Sequence, residues 1–279
     1  MDEIDLLLLN YDYARFNLGT NHDGETPLHV ASEKNMTDEI VFLLENGADI
    51  HAKNSMGETP LHKASNGCSR SSADVLCRCM ESIRLLLANG AILEEKDIGG
   101  ATALHKACSN YHECGFHFIS VLLENGASLE AKNNNGETPL HLASAENMTD
   151  EIEVLLKNGA DIHAKCSMGE TPLHKSSNGF RGNDPFQRKG METIRILLAN
   201  GAILEEKDNG GATALHKAFS NGYYECEPHF ISVLLENGAS LEAENNNGET
   251  PLHVASSCWA VGTFRQYHLG GIGCVCCER

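Results

Sequence analysis

The 279-residue sequence is short of basic residues: 21 Lys and Arg stand against 39 Asp and Glu, a formal net charge of −18. Nucleic-acid recognition needs clustered Lys and Arg to neutralise phosphates, so this balance argues against a DNA or RNA partner. The same field disfavours anionic membrane surfaces and favours solubility. No apolar run approaches the roughly 20 residues needed to cross a bilayer. Met1 to Leu9 carries Asp2, Glu3 and Asp5 where a secretory signal wants positive charge. An intracellular chain is therefore expected, cytoplasmic with a nuclear location left open. Missing too are a Gly-rich phosphate loop, a His-Glu-x-x-His helix and a nucleophile elbow, which removes the common signatures of enzymatic chemistry. The sequons Asn35-Met36-Thr37 and Asn147-Met148-Thr149 are expected to stay unused without export. Cysteine is not scarce. Eleven of them, odd in number and irregularly spaced, fit reduced thiols better than a disulfide framework.

What the chain does have is self-similarity. Thr-Pro/Ala-Leu-His recurs at Thr26, Thr59, Thr102, Thr138, Thr171, Thr213 and Thr250. A segment like Leu-Leu-Glu-Asn-Gly-Ala follows six times, its glycine at Gly47, Gly90, Gly126, Gly159, Gly201 and Gly238. Asn/Asp-x-x-Gly precedes most of the Thr positions, from Asn54, Asp97, Asn133 and Asp208, with Cys166 replacing the Asn once. Thr at an N-cap followed by Pro at the first helical position is a strong helix start, because Pro lacks the N–H that would go unpaired there. A second helix carries apolar residues at helical spacing, such as Ile83, Leu86 and Leu87. Asn-Gly supplies its left-handed stop. The residues after it, as in Asp49 to Lys53, are expected to be extended, and Asn-x-x-Gly turns the chain into the next unit. One such helix pair cannot bury its own apolar face, so stacking is obligatory.

These residues strongly resemble the ankyrin repeat over roughly residues 21 to 257. The resemblance implies an all-α solenoid of stacked helix-turn-helix units joined by β-turn or hairpin loops, with a concave face of turn tips and first helices that contacts protein partners. It also implies that the seven signature histidines (His29, His62, His105, His141, His174, His216 and His253) are structural fasteners bonded to the signature Thr and nearby backbone. Repeats are expected to start near residues 21, 54, 97, 133, 166, 208 and 245, after a partial repeat or cap helix over 1–20 and before a divergent Cys-rich tail over 258–279.

The Thr positions lie 33, 43, 36, 33, 42 and 37 residues apart. Thr26, Thr138 and Thr250 recur every 112 residues, so a three-repeat block is copied. Every insertion falls between the first and second helix; the long ones, Ser69 to Cys79 and roughly Phe180 to Gly190, are expected to be loops that touch no stacking surface.

Candidate partner-binding residues are the turn tips His22, Asp23, Ser55, Met56, Ile98, Asn134, Asn135, Ser167, Met168, Asn209, Asn246 and Asn247. They vary on an invariant frame. Lys63, Lys106, Lys175 and Lys217 follow the signature His and are expected either as cationic spots that receive acidic side chains or as solvated stems over the first helix. The function expected is non-catalytic: a monomeric module that binds a protein partner, without nucleic acid, membrane, cofactor or metal. Two other readings stay open. In one the array is an adaptor or host-directed effector coupling a target to another machine, such as a ubiquitin ligase. In the other, a thiol or zinc role falls to Cys108, His112, Cys114 and His117, whose counterparts Cys226 and His229 keep only half the set, or to Cys274, Cys276 and Cys277. The ending Cys276-Cys277-Glu278-Arg279 fits a prenylation box badly, and reversible palmitoylation of these thiols is the alternative.

Overall fold

The computed structural model describes residues 19–66, 73–109, 115–178, 185–220 and 229–259. The expected N-terminal cap helix and most of the Cys-rich tail lie outside them. The chain forms two compact units, residues 1–134 with 157–159, and residues 135–156 with 160–279.

In the first unit the first helices are α1 (Pro27–Glu33), α3 (Pro60–Ser65) and α5 (Ala103–Ala107). The second helices are α2 (Thr37–Glu45), α4 (Ala73–Ala88) and α6 (Gly115–Glu124). First helices pack on first helices, second on second, and each pair on itself. The other unit repeats the scheme with α7 (Pro139–Ala145), α9 (Pro172–Ser177), α11 (Ala214–Ser220) and α13 (Pro251–Trp259) as first helices. Its second helices are α8 (Thr149–Lys157), α10 (Pro185–Ala199) and α12 (His229–Glu236). Among the described residues every regular element is a helix. The cores are one apolar layer per repeat: Leu28, Leu61, Leu104, Leu140, Leu173 and Leu215 from first helices, and Ile40, Ile83, Ile119, Ile152 and Ile194 from second helices, all buried.

The helix ends follow the local chemistry. Each second helix stops on an Asn-Gly pair whose glycine takes a left-handed φ, from 83° at Gly47 to 99° at Gly201. Gly47 N–H then donates to the Leu44 carbonyl and Ala48 N–H to that of Leu43, which satisfies carbonyls the helix leaves open. Asn46 adds its side chain, donating to the Phe42 carbonyl. Asn35 and Asn147 close α1 and α7 the same way at φ 54°. Both are buried, so the two sequons are sterically closed. The stretch after each second helix is not extended throughout. Ala52 N–H returns to the Asp49 carbonyl and Ala164 N–H to that of Asp161; Asp49 and Asp161 also accept from the N–H two residues on, a local turn favoured by that side chain.

The signature histidine does more than close its own helix. In α1 the Thr26 N–H donates to His29 Nδ1 at 3.1 Å, the Thr26 hydroxyl meets the same nitrogen at 2.8 Å, and Nε2 donates to the Glu58 carbonyl of the next repeat at 2.9 Å. His62, His141, His174 and His216 reach the carbonyls of Ala101, Glu170, Ala212 and Glu249 likewise, each at 3.0 Å. Because Nδ1 accepts from a backbone N–H it carries no proton, so these rings are neutral with the proton on Nε2.

The turns between repeats rest on the Asn or Asp oxygen. Asn54 Oδ1 accepts from the Met56 and Glu58 N–H groups, and Asn21, Asp208 and Asn245 each accept from two N–H groups likewise. The turn glycines are needed twice over: Gly57 has φ 72°, and a Cβ on it would meet the Ile98 backbone nitrogen at 2.9 Å.

One expectation is corrected. The insertions are not loops alone, because most of their length extends the second helix backwards. α4 and α10 have 16 and 15 residues against 9 for α2 and α8. Cys79, counted in the expected loop, is fully buried in α4, and α4 packs on α2, α3 and α6. Gly190 sits against Phe230 so closely that a Cβ there would strike the ring.

Three outcomes follow. Cys166 occupies a turn where a thiol is a poor acceptor; Cys166→Asn should raise stability by about 0.5–1.5 kcal/mol, the net value of ordinary hydrogen bonds, read as a higher denaturant midpoint. Deleting residues 69–79 removes the buried Cys79 and two helical turns, so it should cost at least as much as the roughly 2–5 kcal/mol of a buried Leu155→Ala truncation; a near-neutral deletion would restore the loop reading. Burial holds His29, His62 and His174 below the ordinary histidine range, only partly opposed by their backbone hydrogen bonds. The unfolded chain therefore binds protons that the folded one refuses, and stability is complete above about pH 6.5. It should fall as pH drops from there, before the carboxylates titrate. Denaturant midpoints between pH 8 and pH 5, about 1.5 units either side of that value, test this; a flat profile would mean that the rings can charge in place.

Candidate functional site

All twelve tip residues are exposed. In the first unit the structure joins the tips in a row: Ser55 N–H donates to the Asp23 carbonyl, Ile98 N–H to that of Met56, and Asn134 N–H to that of Gly99. In the second, Ser167 N–H donates to the Asn135 carbonyl, Asn209 N–H to that of Met168, and Asn246 N–H to that of Gly210. One bond per junction makes a ladder too short to be a sheet.

The tips are not equivalent. Asn134, Asn209 and Asn246 spend their side chains on this ladder, their Nδ2 groups donating to the carbonyls of Ile98, Ser167 and Asn209 at 2.8–2.9 Å. The Ser55 hydroxyl donates to the Asp23 carbonyl at 2.7 Å. Met56, Ile98 and Met168 have no such duty and are 54%, 62% and 63% exposed. The adaptable part of each row is therefore apolar, a distinction that residue variability alone does not reveal.

The four lysines differ from both expectations. They are neither free cationic spots nor solvated stems, but largely buried bridges between carboxylates. Lys63 Nζ lies 2.8 Å from Glu25 and 3.1 Å from Glu33; Lys106 lies 2.7 Å from Glu58 and 2.8 Å from Asp97. Lys175 joins Glu137 and Glu170, and Lys217 joins the same Glu170 to Asp208, at 2.7–2.9 Å. Each takes at least one acid from the preceding repeat. Burial would push Lys175 down, yet its bonds to Glu137 and Glu170 outweigh it and raise it to about 12. Burial likewise pushes Glu58, Asp97, Glu170 and Asp208 up, and the lysine hydrogen bonds bring them below the usual carboxylate range. Each of these ammonium groups is already paired with two carboxylates within the protein.

The signal for this was in the sequence. Gly-Glu-Thr in one repeat is followed by His-Lys in the next at Glu25/Lys63, Glu58/Lys106, Glu137/Lys175 and Glu170/Lys217. Where the first position is Ala101 or Ala212, the second is Leu142 or Val254. Sequence reasoning also missed Ile92 and Ile203, each 53% exposed after a second helix.

Of the zinc candidates, Cys108 is fully buried, while His112, Cys114, Cys226, Cys274, Cys276 and Cys277 lie outside the described residues. Among those described, no group of three or more His, Cys, Asp or Glu is placed to hold a metal, and no helix is long and apolar enough to cross a membrane.

The family model for ankyrin repeats (3 copies) matches residues 77–166, 116–186 and 186–264, and that for ankyrin repeats (many copies) matches residues 15–64. The NF-kappa-B inhibitor cactus of Drosophila melanogaster is 39% identical over 66 residues, 23% of this chain and 13% of that protein. A putative ankyrin repeat protein of Rickettsia bellii is 52% identical over 40 residues, 14% of this chain and 17% of the relative. The SMC5-SMC6 complex localization factor protein 1 of Mus musculus is 42% identical over 64 residues, 22% of this chain and 6% of the relative. A probable serine/threonine-protein kinase of Dictyostelium discoideum matches at 39% over 67 residues, only 8% of its length. The chain thus spans less than a fifth of each of these relatives. The matched repeats cover most of the sequence and their helices, turns and fasteners are those just described: the chain belongs to the ankyrin-repeat family, whose members are protein-interaction modules and typically not catalysts.

Proposed function

We propose that residues 21–257 form a non-catalytic, monomeric, intracellular module that binds a protein partner through its turn tips and the adjoining first helices. The observation that carries this is the division of labour at each turn. Asn54, Asp208 and their counterparts hold the backbone, the glycine admits the next repeat, and Met56, Ile98 and Met168 stand out in water with no internal role. Exposed large apolar side chains on a rigid frame suit recognition, and methionine adapts to varied surfaces. The excess of acid supports a protein rather than a nucleic acid as partner. The names of two relatives, an inhibitor and a complex localization factor, describe action on another protein or complex, which agrees with a binding role.

The test is affinity capture with the full chain, followed by affinity measurement for the protein recovered. Met56→Asp with Met168→Asp should weaken binding at least about tenfold, because interface energy concentrates in a few anchors. Ile92→Asp with Ile203→Asp, equally exposed but away from the tips, should leave it within about twofold, as peripheral contacts do. The reverse pattern, with folding checked by circular dichroism, would move the site to the other edge.

A further inference from the structure

We propose that the tip row of the first unit docks an extended protein segment in which a basic residue is followed by two large apolar residues, about one anchor per tip. This rests on the tips being the recognition surface and adds what they recognise.

The sign of charge comes from the lysine bridges. On the first helices and turns of this unit two cations, Lys63 and Lys106, face four carboxylates, Glu25, Glu33, Glu58 and Asp97. An acidic side chain arriving at these two lysines finds both already bridged, with four carboxylates around two cations. Asp23 adds an exposed carboxylate at the start of the row, while its backbone is the part tied down, accepting from Ser55 N–H. A cation at this end is attracted and an anion repelled.

The order of anchors comes from the tips themselves. Along the row stand Asp23, then Met56, then Ile98, with Ile98 N–H bonded to the Met56 carbonyl at 3.0 Å, so the two apolar side chains sit on adjacent turns. Acid, apolar, apolar is the complement of basic, apolar, apolar. The carbonyls of Asp23, Met56 and Gly99 already accept from the next tip, so the row offers side chains rather than a free strand edge. Stacked helices lie about 8–10 Å apart, which sets the spacing of the tips. An extended chain advances about 3.3 Å per residue, so neighbouring tips are about three residues apart along it. The segment that fits reads Arg/Lys-x-x-apolar-x-x-apolar.

The experiment uses the full chain and three fluorescein-labelled peptides in anisotropy titrations: Gly-Ser-Arg-Gly-Ser-Leu-Gly-Ser-Leu-Gly-Ser, the same with Glu for Arg, and the same with Ser for both Leu. The first should bind about tenfold tighter than either control, with an affinity that falls as salt rises. Met56→Ser and Ile98→Ser should each weaken it at least about threefold, about what loss of one exposed apolar contact gives. Asp23→Asn should weaken it and flatten the salt dependence, whereas Ile203→Ser should change nothing. Equal binding of the Glu peptide, binding to no peptide, or an arginine peptide indifferent to Ile98→Ser each overturns the proposal. The wider reading fails separately: a captured partner lost on tip substitution while the Glu peptide binds best keeps the tips as the site and refutes only this chemistry.

Discussion

The fold depends on one imidazole per repeat that faces two ways. Its Nδ1 accepts from the N-cap of its own helix and its Nε2–H donates to a carbonyl of the next repeat, as His29 does between Thr26 and Glu58. A glutamate at the same helical position would satisfy the N-cap but has no donor for the far side. A ring with an acceptor and a donor on opposite edges, rigid between them, links helix start to repeat spacing in one group. Each such bond contributes only about 1 kcal/mol net, less than the roughly 1.5–3 kcal/mol of burying a Leu or Ile. The apolar layer therefore supplies the driving force, and the imidazoles supply register. A slip by one residue would leave buried N–H and C=O groups unpaired in every repeat at once.

The same ring geometry gives the repeated histidines a structural duty. Burial disfavours the charged form of His29, His62 and His174, and where a backbone N–H donates to Nδ1 that nitrogen is committed to the helix start. His253 shows the other half of the logic. It closes its own helix through Thr250 but is exposed, with no following repeat among the described residues to receive Nε2–H.

What the sequence made legible is what local chemistry decides. Thr-Pro starts, Asn-Gly stops and Asn-x-x-Gly turns each satisfy backbone groups within a few residues, so their spacing gave the helices and the repeat count directly. The insertions were misjudged because counting residues against a 33-residue unit finds extra length without saying what conformation it takes. Cys79 is helical and buried where α4 packs on its neighbours, a tertiary fact. The lysines were misjudged for a related reason. Lys106 meets Glu58 across 48 residues, and only the covariation of Glu with the next repeat's Lys, and of Ala with the next repeat's Leu or Val, betrays the pairing.

That pairing shapes the surface that remains for recognition. A buried pair stripped of one partner is costly, because the other charge stays desolvated. Glu170, shared by Lys175 and Lys217, ties two junctions at once, so neither lysine can drift toward a partner without exposing a carboxylate's loss. The cationic stems that might have read an acidic ligand are thus committed to the frame. So are the amides of Asn134, Asn209 and Asn246, committed to the ladder. With charge and amide removed from play, the tip side chains free to vary without loosening a repeat are few, and the largest are Met56, Ile98 and Met168. Internal satisfaction of polar groups, demanded by stacking, is what leaves an apolar edge on an otherwise acidic molecule.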